Sequence, residues 1–228
     1  MTVADLQTRV LERLGEDPTA PVFYTAAEAL AWLNGMQRLM VLLTLCLEKT
    51  ATLPITPGWS FYRMLAAFPD WILPLRLRVT GGAKLKPSRF SDLAALDAYW
   101  STSAGPAVRY ALAGCDLIGI YQQPSSGSID YTYARAPVLL VTPGDTPEVP
   151  QEFHTALADG AICVMRAKEG GSQFQKALPL WDRFLDACQA LGGHVRARNR
   201  EQGYDALPIE LARMDRSKML AGVLTNGK

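Results

Sequence analysis

A chain of 228 residues, 49% of them hydrophobic, carries enough apolar mass for one compact domain with an elaboration, or for two small ones. Lys+Arg 23 against Asp+Glu 22 leaves a net charge of +1, which excludes a global electrostatic pull toward nucleic acid or membrane and makes any polyanion contact local. Asp5, Arg9, Glu12 and Arg13 interrupt the first apolar residues as a secretory signal does not, and the longest apolar stretch, Leu39 to Leu47, falls well short of the ~20 residues of a membrane span.

Thr2 is placed to cap a first helix in which Val3, Leu6, Val10 and Leu14 recur at helical spacing, with Gly15 to end it in a left-handed conformation. After the Pro18 to Pro21 linker, Thr25 and Glu28 form a capping box. Ala29, Leu30, Leu33, Gln37, Met40, Leu43 and Leu47 then continue the pattern for more than five turns.

From Thr50 the period changes. Ala51, Leu53 and Ile55 alternate with polar residues, and Pro54, Pro57 and Gly58 punctuate the segment as strand ends and turns do. Leu73, Leu75, Leu77 and Val79 alternate before Gly81-Gly82, and Lys84 to Pro87 resumes the alternation, which predicts a hairpin with one solvated face. Ser88 or Ser91 can cap a brief helix through Leu96. Ala107 to Leu112, Leu117 to Tyr121 and Ser128 to Ala134 then predict an antiparallel meander with turns at Gly114 and at Ser125 to Gly127.

Pro137, Pro143, Pro147 and Pro150 deny the next segment a regular ladder and make it an extended connection. Helical period returns with Phe153, Leu157, Ile162 and Met165, and again with Phe174, Leu178, Trp181, Leu185 and Cys188 beyond Gly170-Gly171. This predicts a helical hairpin in which Pro179 either kinks the second helix or begins its regular part. From Gly192 onward, Arg196, Arg198 and Arg200 precede a short apolar string, Leu207, Ile209, Leu211, Met214, Met219 and Leu220.

The fold expected is therefore α+β, mainly α. It comprises an antiparallel helical bundle from residues 1–47 and 150–200, a small antiparallel β subdomain inserted at 48–149, and an extended C-terminal arm at 201–228. The arm's six apolar residues lack a core of their own and are placed to bind a neighbour. A chain cut after Gly203 is accordingly expected to keep its fold and bind its neighbour more weakly.

Little in the sequence points to reaction chemistry. His154 and His194 lie forty residues apart without an i, i+4 partner or acidic cluster, and His154, beside Glu152 in a first helical turn, fits a surface or capping group. Cys46, Cys115, Cys163 and Cys188 lack the close spacing of a zinc site or redox dithiol; three of the four fall on apolar stretches and read as small buried hydrophobes, of a chain folded in a reducing compartment. Gly81-Gly82 joins strand to strand, unlike a phosphate loop, and Ser125 to Ser128 has no nucleophile-elbow pattern. No cofactor or metal is expected. Arg196, Arg198 and Arg200, with His194 and Lys218, could face a DNA backbone by releasing counterions, or could simply be a solvated helix end favoured by the dipole.

The order of segments, however, is itself informative: "TAAEALAWLNGMQRLM", "LPITPGWSFYRM", "LRLRVTGGAKLKPSRFSDLAALDAYW", "GPAVRYALAGCDLIGIYQQPSSGSIDYTYARAP" and "DTPEVPQEFHTALADGAI". Over residues 20 to 190 this resembles the head-to-tail adaptor (connector) family of tailed phages and prophages. The family's strand element corresponds to Gly105, Pro106 and Tyr110, its aromatic-proline turn to Tyr121 and Pro124, and its helix entry to Asp145 through Pro150 and His154. The stretch from Phe61 to Trp71 is longer and more apolar than that pattern.

The resemblance implies a non-enzymatic virion protein of the neck, made in the host bacterial cytoplasm. It implies a homo-oligomeric ring of about twelve copies under the portal protein, a tail tube, nozzle or next tail protein as further partner, and genomic DNA passing transiently and without sequence preference. The competing expectations are a small-molecule-binding or enzymatic α+β protein with its site between helices and sheet, and a DNA-binding regulator using the second helix, whose only basic residue is Arg38.

Overall fold

The computed structural model describes residues 1–211 and 218–219. In chain order it contains α1 (Val3–Leu14), α2 (Ala26–Thr44), β1 (Glu48–Pro54), β2 (Phe61–Arg63), α3 (Met64–Ala67), β3 (Trp71–Val79), β4 (Lys86–Ser88), α4 (Phe90–Leu96), β5 (Arg109–Ala113), β6 (Leu117–Tyr121), β7 (Ser128–Arg135), α5 (His154–Arg166) and α6 (Gly171–Glu201). The class is α+β, mainly α. Two compact units divide the chain: a helical one of residues 1–47, 137–196 and the chain from Pro208, and a β-rich one of residues 48–136 and 197–207.

In the helical unit both N-terminal capping signals operate as read. The Thr2 hydroxyl accepts from Asp5 N while the Asp5 carboxylate accepts from Thr2 N, and Thr25 and Glu28 repeat the exchange on α2. Gly15 closes α1 at φ 86°. Helix α2 stops at Thr44 rather than running through Leu47, because Leu45 turns into the left-handed region at φ 52°. That conformation costs a non-glycine residue about 1 kcal/mol, which burial of the Leu45 side chain offsets.

Helix α5 is buried on almost every side from Ala156 to Met165, as a helix apolar all round must be, and it packs on α1 and α2. The helices approach closely at Gly160. A Cβ there would lie 2.7 Å from Met36 Sδ and 3.1 Å from the Phe184 ring, so only glycine lets α2 and α6 close over α5. Pro179 sits inside α6, whose first turns precede it.

Two sequence expectations fail in this unit. His154 is buried, not a surface group. Its Nε2 lies 2.9 Å from the Val149 carbonyl and its Nδ1 3.3 Å from the Met1 amine, so the ring fills a space that the chain ahead of the helix creates. The proline-rich connection belongs with the helices, so the β-rich segment ends at Ala136 and not at residue 149.

The β-rich unit holds two sheets. Sheet A has the order β1-β7-β3, antiparallel throughout; sheet B has the order β2-β6-β5-β4, with β4 parallel to β5. Their shared core contains Leu53, Tyr62, Trp71, Leu77, Tyr110, Ile118, Ile120, Ile129, Tyr131 and Tyr133. Phe68 stacks on Tyr131 and Tyr133 at centroid distances of 5.5 and 5.3 Å, and Trp71 Nε1 donates to the Tyr131 hydroxyl.

The expected meander is only half present. β5 and β6 form its hairpin, but β7 leaves them to lie between β1 and β3, where Tyr131, Thr132, Tyr133 and Ala134 are all buried. A strand covered on both faces needs two partners, and β6 already has β2 and β5. The expected β3 hairpin survives for two rungs, Val79 N to Ala83 O at 3.0 Å and Leu85 N to Leu77 O at 2.9 Å, before β4 departs to pair with β5. Helix α4 starts after Arg89, not at a serine cap.

Candidate interaction surfaces

The outer face of sheet B is built around a missing side chain. A Cβ on Gly119 would lie 2.9 Å from Phe90, 3.1 Å from Trp100 and 3.3 Å from Phe61, so glycine admits three rings from β2, α4 and the following loop onto one spot of the sheet. The rings meet at centroid distances of 5.4 to 6.2 Å in tilted and edge-on geometry, the arrangement that aromatic quadrupoles favour. Trp59 beside Phe61 is 61% exposed, and Leu96 and Tyr99, at the end of α4 and in the loop that carries Trp100, are 56% and 78% exposed. Polar ties fix this rim: Ser60 Oγ donates to Ser101 O at 2.7 Å and Gln123 Nε2 to Ser60 Oγ at 2.8 Å. Trp59, Phe61, Ser101 and Thr102 enclose a groove of about 420 Å³. The close spacing of Trp59 and Phe61 was the available signal, although Trp59 precedes the strand, and the contribution of α4 was not visible in it.

A second apolar surface lies on the helical unit. Val138, Leu139 and Val141 stand 66%, 67% and 70% exposed while Leu140 between them is buried. No ladder holds this segment; side chains stand in for one. Asn34 donates to Leu140 O at 2.9 Å and accepts from Leu140 N at 2.8 Å, as a neighbouring strand would. Gln37, fully buried, donates to Val138 O at 3.1 Å and accepts from Glu148 N at 2.9 Å. The Asp145 carboxylate accepts from Thr142 Oγ1 and from the backbone N–H of Val141 and Thr142, and these bonds hold its pKa below the ordinary carboxylate value.

The residues singled out at the C-terminus are dispersed. Leu211 is buried at 2% exposure, whereas Leu207 and Ile209 are 40% and 46% exposed. Met219 is partly exposed, and Met214 and Leu220 lie outside the described residues. Residues 204–211 are not a free arm. In the β-rich unit Asp205 N donates to Leu75 O at 2.7 Å, and the Asp205 carboxylate takes Lys84 at 2.6 Å and the Tyr110 hydroxyl at 3.0 Å. In the helical unit Ile209 N donates to Leu43 O. Arg196 helps to fasten the same stretch, donating to Pro208 O at 3.0 Å and lying 3.8 Å from Glu210, whereas Arg198 pairs with Glu48 of β1 at 3.2 Å. Arg200 is exposed.

Chemical machinery is sparse among the described residues, where no group of three or more His, Cys, Asp or Glu side chains could hold a metal. Burial raises the Cys163 thiol to about 11, beyond the range of a nucleophilic thiolate. A cavity of about 630 Å³ in the β-rich unit is lined by Leu73, Pro74, Pro87, Arg89, Tyr110, Leu112 and Asp205 among others, but its carboxylate is committed to Lys84 and Tyr110. No described helix is long and apolar enough to cross a membrane.

A family model described as SU10 adaptor protein matches residues 1–208. No curated protein matches the sequence.

Proposed function

The chain belongs to the SU10 adaptor protein family of phage head-to-tail adaptors, and from that premise we propose that it forms a ring of about twelve copies between the portal and the next protein of the tail. As a phage structural adaptor it is a virion component, and its work is to hold neighbours, not to turn over a substrate. The ring would surround a passage through which genomic DNA moves, with contacts that read no sequence. Arg200 is exposed, and Arg196 and Arg198 keep side-chain exposures of 21% and 34%, so all three remain candidates for such phosphate contacts. Leu207 and Ile209 remain candidates for contact with portal or neighbour.

The observation that carries this reading is the pair of exposed apolar surfaces. A self-sufficient monomer seldom leaves Trp59, Tyr99, Leu139 and Val141 in water together, whereas a subunit with neighbours on several sides covers them. A ligand-binding role has the 630 Å³ cavity in its favour and no nucleophile with a paired base beside it.

Mixing the purified protein with portal-bearing, tailless heads tests the proposal. The protein is expected to co-sediment with heads at a saturating ratio of about twelve per portal. Protein that stays in the supernatant at every concentration would overturn the adaptor assignment.

A further inference from the structure

We infer that adjacent copies meet head to tail, the aromatic platform of one copy's β-rich unit receiving the Val138–Val141 ridge of the next copy's helical unit. The inference rests on the ring reading above and names the surfaces that would build it.

A closed ring with one kind of subunit contact requires two different surfaces on every copy, because a surface that pairs with itself stops at a dimer. The chain carries two such apolar surfaces, one on each unit, and they differ in kind. One is a broad face of rings around Gly119. The other is an extended segment bounded by Pro137 and Pro143, offering aliphatic side chains at 138, 139 and 141.

Charge separates them further. The strands of sheet B carry Arg63, Lys86 and Arg109 and no acidic residue, with Arg89 at the start of α4; Arg63 lies 3.8 Å from Asp116, so Lys86, Arg89 and Arg109 supply the cationic character. The acids nearby are three, Asp92, Asp97 and Asp116, and they accept hydrogen bonds from Arg89 N, from Tyr99 N and Ser103, and from Leu65 N respectively. The ridge and its continuation, residues 137–152, carry Asp145, Glu148 and Glu152 and no basic residue. Ridge against ridge would oppose carboxylates alone, whereas platform against ridge brings those carboxylates to the platform's cations.

The areas are also adequate. Trp59, Phe61, Leu96 and Tyr99 at their observed exposures present on the order of 500 Å², the size of the largest patch on a typical monomer, which is often a functional one. That is more than half of the ~800 Å² each partner commonly gives to a stable interface, with the charged rim supplying the remainder.

Both surfaces are exposed, so substitutions on them leave the two cores untouched. In a Cys46→Ser/Cys115→Ser background, a chain carrying Tyr99→Cys and Leu139→Cys together is bound to portal-bearing heads and oxidised, alongside chains carrying either substitution alone. The double chain is expected to give a covalent ladder beyond dimer, and each single chain to stay monomeric on denaturing gels. Bound double chain without a ladder, or dimers from Tyr99→Cys alone, would overturn the inference while leaving the adaptor assignment standing. Failure of the unsubstituted protein to bind heads would remove both.

Discussion

Gly119 holds the aromatic platform together by what it lacks, and its environment was not legible in the sequence. A glycine inside "LIGIY" signals a weak strand or a close approach, but the approaching rings come from Phe61, Phe90 and Trp100, of which two lie far along the chain. Gly119→Ala is expected to lower stability by about 1–3 kcal/mol through overpacking, measured as a reduced urea midpoint. His154 was misread for a related reason: nothing local announces that Val149 and the N-terminus close over it. Asp145 makes a pH prediction. Its folded pKa lies below the ordinary value, so its contribution to stability is complete above about pH 4 and fades as pH falls through the lower folded pKa. Asp145→Ala should therefore cost stability at pH 7 and cost progressively less toward pH 2. A gap from the unsubstituted protein that is constant with pH would refute this role.

Helix signals were readable because they are local. The capping boxes of Thr2 with Asp5 and Thr25 with Glu28 each lie within one turn, and the burial of Val3, Leu6, Val10 and Leu14 follows from a 3.6-residue period. Strands were recognisable by alternation, yet their partners were not, since pairing β7 with β1 and β3 joins positions some eighty and sixty residues apart. The apolar ridge was legible as a break in ladder structure but not as a displayed surface, because Gln37 and Asn34, which hold it, look in sequence like ordinary polar helix positions. Gln37→Leu leaves Val138 O and Glu148 N without their side-chain partner and is expected to cost about 2 kcal/mol, read from thermal unfolding. The segment after α6 reverses an expectation. Because Asp205, Arg196 and Leu211 are engaged, a chain ending at Gly203 should melt several degrees lower than one ending at Leu211. Identical melting curves for the two would mean that these contacts add nothing.

At the scale of the molecule, the sequence indicated the α+β class and the family, but it placed the end of the β subdomain at residue 149, where the compact β-rich unit ends at Ala136, and assigned residues 201–211 to an extended arm. Both differences have one source. The connection and the C-terminal segment are held by single side chains, Gln37, Asn34, Lys84 and Arg196, that pair with backbone or carboxylate groups far away in sequence. Such pairs leave no periodic trace. The charge balance was informative in a different way: a net charge of +1 excludes a global pull toward nucleic acid, so under the proposed ring the affinity for heads should come from apolar burial. The most direct measurement is a cryo-electron microscopy reconstruction of the neck of particles that carry this protein. The account predicts a closed ring of it under the portal with Trp59 and Tyr99 of each copy covered by a neighbour; particles whose necks lack the protein would contradict it.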